Sequence, residues 1–182
     1  MRIKLEEFTH HDIHTLINWI DSPETLFLWT GTTFKFPLTY ECISNYFNES
    51  ETGLQSNKLF KAVDESGIMQ GYMELSRIDS ENKQACISRV IVGNPKIRNK
   101  GICKQMIGNI LKIGFEEYSL HRIYLFVFEE NISAIECYKK SGFRIEGLLR
   151  DSRYYEGKYI NVYLMSIIDE EYNNNKNLIL KH

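Results

Sequence analysis

Arg89-Val-Ile-Val-Gly-Asn-Pro-Lys-Ile-Arg-Asn-Lys-Gly-Ile-Cys-Lys104 is where the chain changes its period. An apolar strand ends at Gly93, a short loop carries Lys96, Arg98 and Lys100, and a long apolar helix opens at Gly101. A loop entering a helix N-terminus offers unpaired N–H groups and the positive end of the macrodipole. Added cations make it a seat for a phosphate or pyrophosphate. Glycine at 101 lets the backbone approach such a ligand with no Cβ in the way. Read alone, the segment fits a solvated basic loop capping an ordinary helix equally well. It is neither a P-loop nor a dinucleotide fingerprint, because Gly-x-x-x-x-Gly-Lys-Ser/Thr and Gly-x-Gly-x-x-Gly are both absent.

Downstream, the pattern predicts a helix over 101–117. Ile102, Met106, Ile110 and Ile113 form one apolar row, and Ile107, Leu111 and Phe115 form another. Two adjoining rows suit a helix packed on a sheet. His121 to Phe128 reads as a strand, Asn131 to Ser141 as a short helix capped by Asn131 and stopped by Gly142. Phe143 to Leu149 and Tyr159 to Ile168 read as the last strands, and the tail from Tyr172 as frayed. Upstream, Lys58–Val63, Ile68–Ile78 and Gln84–Val92 form a three-strand meander with turns at Asp64–Gly67 and Asp79–Lys83. In the first third, Ile3 and Leu5 alternate with charges in a short strand. Thr9 caps a helix bearing Ile13, Leu16, Ile17 and Ile20, with Pro23 just past its end. Leu26 to Trp29 is a short apolar run, followed by a loop over 31–37. Thr39 caps a helix with Ile43, Tyr46 and Phe47. This is one mixed α/β (α+β) domain over 1–171 with a C-terminal tail over 172–182.

The chain has 182 residues, with 22 Lys plus Arg against 24 Asp plus Glu and a net charge of −2. That balance excludes a protein held on nucleic acid by bulk charge. No apolar stretch approaches the ~18 residues of a membrane span. Met1-Arg-Ile-Lys-Leu-Glu-Glu7 has no apolar core, so no signal peptide is expected. Cys42, Cys86, Cys103 and Cys137 are scattered, which suits free thiols in a reducing cytoplasm.

About thirty residues beyond Arg98-x-x-Gly101-x-Cys103 comes Asn131-Ile-Ser-Ala-Ile-Glu-Cys-Tyr-Lys-Lys-Ser-Gly-Phe143. This ordered pair resembles the acetyl-CoA-binding core of the GNAT superfamily of N-acetyltransferases. The family's first motif is Arg/Gln-x-x-Gly-x-Gly/Ala. Its second is Asn-x-x-Ala-x-x-x-Tyr-x-Lys-x-Gly-Phe, every named position of which is present. The stretch from Ile68 to Ile168 looks like the RimJ/RimL-like branch, which acetylates ribosomal-protein N-termini. Ile145-Glu-Gly-Leu-Leu-Arg-Asp151 and Asn161-Val-Tyr-Leu164 match the end of that pattern. The resemblance implies a single-domain GNAT fold, a mixed, mostly antiparallel twisted sheet flanked by helices.

The resemblance also implies acetyl transfer to a primary amine by direct attack in a ternary complex, with acetyl-CoA as co-substrate and no metal. Backbone groups of Val90, Ile91 and Val92 would pair with the pantetheine arm. Arg98, Asn99, Lys100, Gly101, Ile102, Cys103 and Lys104 would hold the pyrophosphate. Asn131 and Ala134 of the second motif fall at the cofactor, and Tyr138 matches the tyrosine near the CoA sulfur, a general acid for the leaving thiolate. Backbone N–H groups would polarise the thioester oxygen.

The chain departs from the pattern twice. Cys103 stands where the family has a second small residue, and Cys86 where many members of the branch carry a carboxylate that helps deprotonate the amine. Strand alternation offers a substitute. A hairpin turning at Asp79–Lys83 sets Ile78 opposite Gln84 and Glu74 opposite Ser88. Tyr72, Glu74 and Ser76 then share a face with Cys86, Ser88 and Val90. Glu74 is therefore a candidate for deprotonating the amine, directly or through water; the plain alternative is a solvent-facing strand glutamate.

His10 and His14 share a helix face while His11 points away, and no Cys or carboxylate cluster joins them, so no metal site is expected. Cys137 reads as a structural thiol. Trp29, Phe34, Phe36 and Tyr72 suit an acceptor pocket or the core equally. The acceptor is a protein N-terminal amine or a small-molecule amine. A non-catalytic acetyl-CoA sensor is the rival class, favoured by Cys86, and an interaction module without cofactor is a third. A homodimer is common in the superfamily, and no nucleic-acid or membrane partner is expected.

Overall fold

In a computed structural model, residues 1–52, 57–93 and 100–180 are described. The elements run β1 (Lys4–Glu7), a 3-10 turn (His10–Asp12) leading into α1 (Ile13–Ile17), α2 (Pro23–Thr30), α3 (Tyr40–Glu51), β2 (Lys58–Val63), β3 (Met69–Asp79) and β4 (Gln84–Val92). Then come α4 (Ile102–Lys112), widened into a π turn over Ile113–Glu117, β5 (Arg122–Phe128), α5 (Ile132–Lys140), β6 (Arg144–Tyr155), β7 (Lys158–Ile168) and α6 (Asp169–Ile179). Seven strands form one sheet in the order β1-β2-β3-β4-β5-β7-β6. Every neighbouring pair is antiparallel except β4 and β5, which are parallel and joined through α4.

The strands alternate between two cores. Met73, Leu75 and Ile87 face a cluster built with Met106, Ile110 and Tyr172. Tyr72, Ile91 and Leu59 face the other, built with Ile13, Leu16 and Trp29. Helices α4–α6 thus cover one face and α1–α3 the other.

Four local expectations are corrected. The helix expected after Thr9 breaks into a 3-10 turn and a five-residue α1. Asp12 organises the break: its Oδ2 accepts from the Thr9 N–H at 2.8 Å, and Lys61 Nζ reaches both oxygens at 3.0 Å. Pro23 starts a helix rather than following one. Proline at the first helical position loses no hydrogen bond, and Ser22 Oγ caps by accepting from the Thr25 N–H at 3.1 Å. In the β3–β4 hairpin, Gln84 faces Asp79 and not Ile78, because a register shift between Ser76 and Asp79 inserts one residue.

The fourth correction is at the C-terminus, where the tail read as frayed from Tyr172 is part of α6. Tyr172 is fully buried, stacks on Phe115 at 4.8 Å and donates its hydroxyl to Glu116 Oε1 at 2.6 Å. Burial of Tyr172 and Ile179, two turns apart on one face, and not helix propensity, orders this asparagine-rich segment.

Candidate active site

Strands β4 and β5 pair only from Gln84↔Arg122 to Ile87↔Leu125. Beyond that point β4 stays with β3 as far as Val92, and β5 stays with β7 as far as Phe128, so the sheet opens between them. A bulge helps β4 turn away. Tyr72 faces Ile91 while Glu74 faces Ser88, which gives β4 one extra residue, and Arg89 takes a left-handed φ of 48°. Trp29 Nε1 donates to the Arg89 carbonyl at 2.7 Å, tying the bulge to α2.

The open end of β4 leads to α4. A Cβ on Gly93 would lie 2.0 Å from the Trp19 ring, so only glycine fits there. Lys96, Arg98 and Asn99 lie outside the described residues. Gly101 caps α4 with φ 78° and ψ 4°, and no side chain among the described residues caps the helix. Its first-turn N–H groups can therefore serve an anion. Lys100 is exposed, Cys103 and Lys104 are half-buried, and Ile102 is a buried anchor of the α4–α6 core.

Helix α5 packs against α4. Asn131 Oδ1 accepts from the Ala134 N–H at 3.2 Å, so the asparagine expected at the cofactor also caps this helix. One turn later, the half-buried Cys137 hydrogen-bonds Cys103 across the helix pair; that bond and burial hold the Cys103 thiol well above its usual range. Tyr138 is buried in the α4–α6 core, 6.0 Å from the Phe143 ring. Burial, then the neighbouring thiols of Cys103, Cys137 and Cys86, push its hydroxyl well above the ordinary phenol range. At neutral pH it is a proton donor.

Glu74 faces the opposite core. It stands across from Ser88 as the alternation predicted, but it is not solvent-facing: its exposure is 0%. Tyr72 Oη donates to Oε1 at 2.6 Å. Oε2 accepts from Tyr46 Oη at 2.8 Å, Arg89 Nη1 at 2.7 Å and Ser88 Oγ at 3.3 Å. Arg89 Nη1 also donates to Tyr46 Oη at 2.8 Å, and its guanidinium lies 4.6 Å over the Tyr46 ring. Burial, then the Glu74 charge, raises both tyrosines. Cys86 is buried beside this group, and burial lifts its thiol to about 11, so it does not replace the missing carboxylate.

The structure thus sets Tyr138 and Glu74 in different cores, on the two faces of the opened sheet. Of the four aromatics left open, Trp29 and Tyr72 are core, Phe34 is half-buried against the Tyr46 ring at 5.5 Å, and Phe36 is exposed. Tyr46 and Arg89 are the partners that sequence reasoning passed over. A charge within the apolar run Arg89–Val92 was the available signal. His10 and His14 pack on Phe47 and Tyr40.

Residues 8–164 match the model of the acetyltransferase (GNAT) domain family. A protein named uncharacterized N-acetyltransferase p20, from Bacillus licheniformis, is 27% identical over 94% of this chain and 95% of its own length. Spermidine N(1)-acetyltransferase of Escherichia coli K12 is 31% identical over 65% of this chain and 62% of that protein, less than two thirds of its length. The crystal structure of spermidine N-acetyltransferase from Vibrio cholerae in complex with CoA and spermine superposes with a TM-score of 0.84 and 24% identity, covering 95% of this chain and 99% of that one. That likeness bears on the fold. With the family model spanning most of its length, the chain belongs to the GNAT acetyltransferases.

Proposed function

We propose that this protein moves an acetyl group from acetyl-CoA to the primary amine of a small molecule, by direct attack in a ternary complex. The observation that carries the reading is the parting of β4 and β5 beyond Ile87 and Leu125, beside an α4 N-terminus that no described side chain caps. An extended arm fits between parted strands, and a pyrophosphate fits a helix N-terminus. Acetyl-CoA supplies the activated acyl thioester. The backbone of Val90, Ile91 and Val92 would hold the pantetheine arm. The loop Arg98–Lys104 would hold the pyrophosphate, with Asn131 and Ala134 at the neighbouring helix start. Tyr138 donates a proton to the departing sulfur. Glu74, with every donor around it engaged, acts through the hydroxyls of Tyr46 and Tyr72 rather than by touching the amine.

The proposal extends to three finer points. Ile145–Asp151 and Asn161–Leu164 support a place in the RimJ/RimL-like branch, which keeps a protein N-terminal amine as the second acceptor class. The edge strand β6 exposes Leu148, Leu149 and Tyr154, which suits a homo-oligomer; a dodecameric structure is among those of the Vibrio cholerae relative. Four cysteines without a disulfide suit the cytoplasm. Calorimetric titration with acetyl-CoA tests the core of the reading. Micromolar binding that weakens about tenfold in Arg98→Ala, with thiol release on adding an amine, is the expected result. A folded wild type that binds no acetyl-CoA would sink it.

A further inference from the structure

We propose that Arg89 is a specificity-determining residue: by occupying Glu74 it disfavours polycationic acceptors and selects amines whose remainder is neutral or anionic. This rests on the acetyl-transfer reading above. Tyr138 and α4 stand on one face of the opened sheet, so the amine must approach from the other, where α1–α3 lie. On that face the bulge delivers Arg89, whose backbone is held by Trp29 and whose side chain is only 16% exposed.

Glu74 is the one charged side chain in the fully buried set of described residues. A carboxylate in a dry site is what would reward a substrate carrying several ammonium groups. Here it is already spent. One oxygen takes Tyr72 and the other takes Tyr46, Arg89 and Ser88. The pair is neutral, and its outward-facing member is the cation, flanked by the Tyr46 and Phe34 rings at 4.6 and 5.6 Å. Arg89 Nε is buried with no partner among the described residues, a donor left over once Glu74 and Tyr46 are served. A second ammonium group entering this site meets a fixed cation and, among the described residues, no unpaired buried carboxylate. A neutral or carboxylate-bearing body meets aromatic rings and the partly exposed guanidinium. The relatives' polyamine names therefore do not transfer to this chain.

The test compares kcat/KM by thiol release for spermidine, phenethylamine and free phenylalanine. It uses the wild type, Arg89→Gln and the double variant Arg89→Gln/Glu74→Gln. The double variant keeps the site free of an uncompensated buried charge if Arg89→Gln alone folds poorly. In the wild type, spermidine is expected to be the poorest of the three. Arg89→Gln frees one negative charge and raises the spermidine-to-phenethylamine ratio about tenfold or more, while the double variant gives a smaller rise. A wild type that prefers spermidine, or a ratio unmoved in either folded variant, overturns the assignment while leaving acetyl transfer intact. Absence of thiol release with all three amines overturns the transfer reading and this one with it.

Discussion

Tyr138 keeps its proton because nothing around it welcomes a phenolate. It is buried, and its nearest ionisable neighbours are the thiols of Cys103, Cys137 and Cys86, whose negative forms would repel it. A raised pKa makes the tyrosine a weaker acid in absolute terms but keeps it loaded past the ordinary phenol pKa of about 10. The amine, by contrast, must be neutral to attack. Activity is therefore expected to rise with pH as the amine deprotonates, with no descending limb from Tyr138 up to the ordinary phenol pKa of about 10. Tyr138→Phe should lower kcat by about a hundredfold and leave the KM for acetyl-CoA within about threefold, since the ring still fills its place against Phe143. A pH–rate profile of the wild type and kinetics of the variant check both. A kcat within twofold of wild type would assign the proton to another donor. Glu74 shows the opposite lesson. Alternation found its partner Ser88, but alternation says nothing about which residue from another element will reach the carboxylate. Tyr46 comes from α3 and Arg89 from a bulge, and neither connection is written in the local pattern.

At the scale of elements, the strand-to-helix turn is where local chemistry and function coincide. Gly101 holds φ 78°, and a Cβ there would meet no heavy atom within 4 Å, so conformation rather than space demands glycine. Gly101→Ala should cost about 1 kcal/mol through the left-handed backbone, or about 2–4 °C in Tm. It should also weaken acetyl-CoA binding more than it weakens the fold, because the strain relaxes by moving the first turn of α4. Calorimetry beside thermal melting separates the two effects, and an unchanged affinity would detach this turn from the cofactor. The elements with strong periodic patterns, β2–β5, α4 and α5, were legible within a residue or two, as was the start of α3. α2 was not, because a proline can stop one helix or start the next, and Ser22 as cap decides which. β6 was cut short at Leu149 for a similar reason. The chain continues to Tyr155 through an irregular stretch in which Asp151 takes φ 53° and the side chain of Asn161 accepts from its N–H at 2.9 Å. A side-chain bond from the neighbouring strand replaces the missing ladder, and no single-strand pattern announces that.

Over the whole molecule, the sheet divides the labour between its faces. One face carries α4–α6 and, in the proposed reaction, the leaving-group side; the other carries α1–α3 and, in the same proposal, the acceptor side. The parallel β4–β5 pair can open without breaking a hairpin, since its two strands are joined through a helix and each keeps an antiparallel partner. Helix α6 looks dispensable by sequence, with Asn173, Asn174 and Asn175 in its middle. Packing says otherwise. Ile179 is 2% exposed, and its carbonyl sits 3.2 Å from where a Cβ on Gly108 would be, so the last turn closes directly on α4. Removing residues 169–182 would uncover Tyr172 and Ile179's contacts, at about 1.5–3 kcal/mol for each buried side chain, a large part of a stability of about 5–15 kcal/mol. Glu116 adds a pH signature. The Tyr172 hydroxyl, then Lys176, holds its carboxyl below the ordinary value of 4.5, so its share of stability is present above that value and lost as pH falls through the folded pKa. Tyr172→Phe should therefore lower Tm by about 2–4 °C at pH 7, the equivalent of about 1 kcal/mol, and by less once pH has fallen through the folded pKa of Glu116. The truncation should leave no soluble monomer with a cooperative melt near that of wild type. A truncated chain that melts with the full-length protein would show that α6 only rests on α4, and would place the closing of that core within residues 1–168.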